Sequence, residues 1–126
     1  MTDLYQVLPI IALALVALVT VSEGLRPSAG WALAAAICAL FLGWSVYTVM
    51  AEGPLGFWPN HTRDAWGNQV WFDLLIAVAI AWTLLLPRAR AAGMRIWPWL
   101  ALIAATGCIG LTAMFARLRF LETRPR

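Results

Sequence analysis

The chain has 126 residues, of which 63% are hydrophobic and only 12% charged, and its mean hydropathy is +0.80. Soluble domains are near half apolar and a quarter charged, so neither a water-soluble globule nor a disordered chain fits, and an integral membrane protein is expected. The net charge of +3 rests on nine arginines with no lysine. They stand at the ends of apolar segments rather than among stacking aromatics, which suits membrane orientation and argues against nucleic acid as a partner.

A spanning helix needs about 20 largely apolar residues, and four stretches qualify, at approximately 4–22, 29–50, 69–86 and 96–119. The first carries Pro9 in its opening turns, where a missing N–H costs least. No Arg or Lys precedes it and no small-residue cleavage site follows Val21, so it reads as a retained helix rather than a signal peptide. Ser22 to Ser28 form a short turn. Glu52, Gly53 and Pro54 end the second stretch, and Pro87 ends the third. The expected fold is all-α: a four-helix transmembrane bundle forming a single integral membrane domain over 1–126.

The longest connection, Ala51 to Asn68, holds Glu52, Asn60, His61, Thr62, Arg63, Asp64 and Asn68 among Phe57, Trp58 and Trp66. That mixture suits the membrane interface, where an aromatic ring is half apolar and its N–H stays hydrated. Small residues recur every fourth position at Ala35, Ala39 and Gly43, at Ala77 and Ala81, and at Ala101, Ala105 with Thr106 and Gly110. Such faces let membrane helices approach closely, so internal packing through them is expected.

Three features further along carry a resemblance: Trp71-Phe72-Asp73-Leu74-Leu75-Ile76, the run from Arg88 to Arg95 some twenty residues later, and Gly107 followed by Arg117-Leu118-Arg119. Roughly residues 64–122 resemble an uncharacterised bacterial family of small multi-span membrane proteins, a domain of unknown function. Asp64 stands where that family has Asn. Its members show three spanning segments as a rule and no known activity, so the resemblance implies a fold and supplies no function. Ser22-Glu23-Gly24 is similar to a fragment of the small multidrug resistance transporters, whose mechanism needs an acid inside the first helix. None lies between Asp3 and Glu23 here.

Chemistry-bearing residues are few. Asp73 is the acid closest to the hydrocarbon, about one turn inside the third segment, where it is either a proton or cation site or one half of a structural ion pair. Antiparallel packing of the last two segments sets it at the depth of Arg117 and Arg119, with Arg63 in reach from the long loop, so an ion pair with one of these three is expected. His61, the single histidine, and Asp64 are interfacial loop candidates. One histidine makes neither a zinc site nor a bis-imidazole haem site within the chain, and Cys38 and Cys108 lie singly in apolar runs. Hence no metal, no cofactor and no catalytic residue is assigned.

Three functions are compatible with this inventory. The leading expectation is a small non-enzymatic integral membrane protein, an accessory or assembly subunit of a membrane complex in a bacterial plasma (inner) membrane. Its partners are the lipid bilayer and either other membrane subunits or further copies of itself. A small oligomeric transporter using Asp73 is the alternative, and a membrane enzyme acting on a lipid or isoprenoid through His61, Asp64 and Asp73 is the third. With four spans the arginines divide five to four between the two faces, so charge barely selects an orientation. The compact loop from Arg88 to Arg95 is taken as cytoplasmic.

Overall fold

The computed structural model describes residues 2–25 and 30–124, with side chains described for 4–21 and 30–124. It is built from helices: α1 (Thr2–Leu25), α2 (Gly30–Glu52), α3 (Phe57–Thr62), α4 (Ala65–Ala91), α5 (Ile96–Thr106) and α6 (Cys108–Glu122). The all-α expectation holds. Three helices among the described residues are long and apolar enough to cross a membrane, in the windows Leu4–Val21, Gly30–Glu52 and Ala65–Ala91. By its internal packing the chain divides into two units, Met1–Gly30 and Trp31–Arg126.

The first unit is essentially α1. Pro9 lies inside it, and the Thr20 hydroxyl turns back onto the Val16 carbonyl at 2.8 Å, which hides a polar group that lipid could not solvate. Arg26, in the expected turn after it, lies outside the described residues.

In the second unit the helix ends follow from local chemistry. Beyond α2, Gly53 takes φ +86° and donates its N–H to the Val49 carbonyl, closing the last turn with Pro54 just beyond. The α4 helix continues past Pro87, contrary to the expected stop. One proline removes a single helical N–H, and the turn beyond it is held because Ala89 is fully buried. The true stop is Gly93 at φ +75°, after which the Met94 N–H bonds back to the Ala89 carbonyl at 3.0 Å.

The main departure concerns the fourth segment. Instead of one helix over 96–119, the chain turns at Gly107, whose φ of +61° and ψ of −122° only glycine adopts without strain. The turn is stitched by Gly107 N–H to the Ile103 carbonyl at 2.7 Å and by Gly110 N–H to the Thr106 hydroxyl at 2.9 Å. Gly110 then lies against α5 so closely that an added Cβ would stand 2.8 Å from Ile103 N and from Leu102 C. The two helices thus form a hairpin of 11 and 15 residues. At 1.5 Å per residue their lengths are about 16 and 22 Å, short of the roughly 30 Å of a bilayer core. In place of a fourth spanning helix the second unit thus carries a short hairpin.

Three contacts give the hairpin its direction. Arg88, near the end of α4, bonds Glu122 at the end of α6. Trp31, at the start of α2, meets the Phe120 ring edge-on with centroids 5.5 Å apart. Further into α2, the Cys38 thiol donates to the Ile109 carbonyl at 3.4 Å. So α6 runs antiparallel to α2 and returns to the end of the unit where α4 finishes. The core lies at this end, in Ala89, Ile103 and Met114, with Trp82, Met94, Ile96, Trp99 and Leu111 packed around them. Met114 and Leu118 are fully buried.

Candidate functional site

Three of the singled-out residues, His61, Arg63 and Asp64, meet at the junction of α3 and α4. Asp64 is extended, at φ −151° and ψ 173°, and its Oδ1 accepts the Gly67 N–H at 2.8 Å, capping α4. Its Oδ2 accepts from Arg63 Nε at 3.3 Å. These interactions, the Gly67 bond first and the Arg63 side chain next, hold the Asp64 carboxyl below its usual pKa. Since the pair is exposed, it contributes little stability.

His61 is half-buried against the same turn. Its Nδ1 lies 3.4 Å from the Gly67 carbonyl, which accepts from it, and its ring leans over Trp71 with centroids 5.0 Å apart. Phe57 stacks on Trp71 at 6.2 Å. The Asn68 side-chain amide donates to the His61 carbonyl at 2.7 Å, tying α3 to the first turn of α4. His61 and Asp64 are therefore both engaged in holding this corner.

Asp73 stands apart from that network. It is exposed on α4, nine residues beyond Asp64 and so about 13 Å along the axis. Among the described residues the ion pairs are Arg63 with Asp64 and Arg88 with Glu122, and Asp73 enters neither. The structure thus does not give Asp73 the expected partner. Arg63 is on Asp64, and the turn at Gly107 carries Arg117 and Arg119 to the opposite end of α4. There Arg117 and Arg124 lie over the Phe120 ring, at 5.7 and 4.4 Å from its centroid, and Arg119 is within electrostatic reach of Glu122.

A strong division of charge results. Arg88, Arg90, Arg95, Arg117, Arg119 and Arg124 share one end of the second unit with Glu122, while Arg63 shares the other with Glu52, Asp64 and Asp73. The signal in the sequence was the glycine at 107 between two short apolar runs, a pattern also compatible with one helix.

At the basic end a cleft of about 380 Å³ opens between α4 and α5, lined by Trp82, Leu86, Arg90, Ile96, Trp97 and Leu100. The α4 contribution is spaced every fourth residue, which makes one stripe along the helix with Arg90 at its mouth. Arg88, two positions earlier, faces away from that stripe toward Glu122. Among the described residues no three His, Cys, Asp or Glu side chains gather as a metal site.

The small-residue faces are used unevenly. Gly110 is buried against α5, whereas Ala39, Ala77, Ala101 and Ala105 are exposed and a Cβ on Gly43 would meet nothing within 4 Å. The expectation of internal packing through these faces holds for Gly110 and in part for Ala35 and Ala81, which are half-buried, and is corrected for the exposed positions, because the hairpin is too short to cover them. Comparison of the chain with protein-family models, with curated proteins and with solved structures gave no match.

Proposed function

We propose that this is a small non-enzymatic integral membrane protein of a bacterial plasma membrane, acting as an accessory or assembly subunit of a larger membrane complex. Kinship with the small multi-span family outlined above is part of the proposal. The observation that carries it is a face of α2 that the rest of its own unit leaves uncovered. The described core is confined to the end where α4, α5 and α6 meet. From Leu40 to Met50, α2 keeps Leu40, Phe41, Leu42, Val46, Val49 and Met50 exposed, beside an open strip at Ala39 and Gly43. A strip of small residues flanked by large apolar ones accepts another membrane helix at close range.

A photoreactive amino acid placed at Gly43 in the cell tests this. A discrete protein adduct is expected, and adducts to lipid alone would overturn the proposal.

Within this reading α5 and α6 dip into the bilayer and return to the face they left. The arginine-rich end then faces the cytoplasm by the positive-inside rule, with six described arginines against Arg63 alone. A second reading, a small oligomeric transporter, is favoured by Asp73. An exposed carboxylate on a spanning helix, outside any ion pair among the described residues, is a candidate proton or cation site in an assembly. Proton flux into liposomes that disappears in Asp73→Asn would support it, and unchanged flux would dismiss it.

A further inference from the structure

We propose that the cleft between α4 and α5 is a seat for one anionic phospholipid, which lays an acyl chain along Trp82 and Leu86 and sets its phosphate against Arg90. The proposal rests on the membrane placement argued above and not on the accessory role. The shape of the cleft fits a lipid tail: its walls are Trp82, Leu86, Ile96, Trp97 and Leu100, and its single charged side chain is Arg90. From Trp82 to Arg90 is eight residues, about 12 Å along the helix, close to the roughly 15 Å depth of one hydrocarbon leaflet. A tail entering at Arg90 therefore reaches the indole of Trp82 near its end.

The charge at the mouth selects the headgroup. Arg90 enters neither ion pair among the described residues, and neither does Arg95 at the start of α5. Glu122, the described acid at this end, is occupied by Arg88, so no carboxylate competes for Arg90. Guanidinium binds phosphate with paired N–H donors, and anionic lipid is enriched on the cytoplasmic leaflet to which this end is assigned. A zwitterionic headgroup brings a cation of its own to the same arginines and gains less.

The test uses the purified, delipidated full chain in neutral detergent. Binding of phosphatidylglycerol and of phosphatidylcholine with identical chains is read by native mass spectrometry. The expected result is a clear preference for phosphatidylglycerol that falls about fivefold in Arg90→Gln, the effect of one arginine at a lipid surface, and persists in Arg90→Lys. Leu100→Trp, at a position already 36% exposed, fills the cleft and should weaken both lipids.

Equal binding of the two lipids by the unaltered chain, or an unchanged preference in Arg90→Gln, overturns the headgroup assignment and with it the proposal. Unchanged binding in Leu100→Trp, or displacement by glycerol phosphate as effective as by phosphatidylglycerol, overturns the tail seat. Alkaline extraction of cell membranes separates the two levels: release of the chain defeats the membrane placement itself, whereas retention with no lipid preference defeats the lipid site alone.

Discussion

Arg88 and Glu122, 34 residues apart, grip each other through two bonds, Nε to Oε1 at 3.0 Å and Nη2 to Oε2 at 2.7 Å. This clasp closes the return of α6 onto the end of α4. Both side chains are partly exposed, at 44% and 33%, so the coupling in a double-mutant cycle of Arg88→Gln and Glu122→Gln should be about 0.5–1 kcal/mol. The reversed pair, Arg88→Glu with Glu122→Arg, should regain part of the loss in thermal midpoint. Zero coupling in both detergent and lipid nanodiscs would contradict the clasp.

Gly110 and Gly43 make a matched pair of probes. A Cβ at Gly110 runs into the backbone of Leu102 and Ile103, which cannot step aside as a side-chain tip would. Gly110→Ala should therefore destabilise by about 1–3 kcal/mol, the usual effect of overpacking. Gly43→Ala meets open space within a helix and should leave the isolated chain as stable or slightly more so. Equal thermal midpoints for the two variants in detergent would show that the hairpin is not packed as described.

Acid should loosen the start of α4 before it loosens the rest. The Gly67 N–H, and after it Arg63, hold the folded Asp64 carboxyl below the ordinary aspartate pKa of 3.8. A depressed folded pKa means stability that is present above 3.8 and lost as pH falls through the folded value. Hydrogen exchange at Trp66, Gly67 and Asn68, corrected for the intrinsic pH dependence, should accelerate in that range and not at neutral pH. Asp64→Ala should show the faster exchange at neutral pH already, and Asp64→Asn, still a capping residue, much less of it. Uniform acceleration over the whole of α4 would argue against a local cap.

The proposed placement, with the arginine-rich end cytoplasmic and α5 and α6 returning to it, fixes which positions can be reached from outside the cell. With Cys38 and Cys108 replaced by alanine, single cysteines are introduced as Asn60→Cys, Ala92→Cys and Thr123→Cys. An impermeant maleimide should label Asn60→Cys in intact cells and the other two only after lysis. Labelling of Thr123→Cys together with Asn60→Cys would mean that α5 and α6 form one straight span. Labelling of Ala92→Cys and Thr123→Cys together, without Asn60→Cys, would reverse the orientation while keeping the hairpin.

The sequence made some of this plain and concealed the rest for identifiable reasons. Three apolar runs with glycine or proline near their ends are a strong helical signal, and α1, α2 and α4 follow it, with α4 extended at both ends. Asp64 was singled out as loop chemistry, yet it is a helix cap. Asp followed by Ala-Trp-Gly carries the cap pattern, but nothing in the pattern tells a cap from an acid awaiting a substrate. The pairing of Asp73 with Arg117 or Arg119 depended on the direction of the last segment. That direction is set by backbone torsion at one glycine, while hydropathy is indifferent to torsion and ran unbroken through it.

Gly107 also fixes a parity. Residues 96–122, if they formed one continuous helix, would be as long as the 27 residues of α4, and the chain after Glu122 would emerge on the far side of the bilayer. In the proposed membrane placement the turn makes the number of crossings in the second unit even instead of odd, which keeps whatever is joined after Glu122 in the same compartment as the turn between α4 and α5. In that placement the backbone torsion at one glycine decides which solution the tail meets.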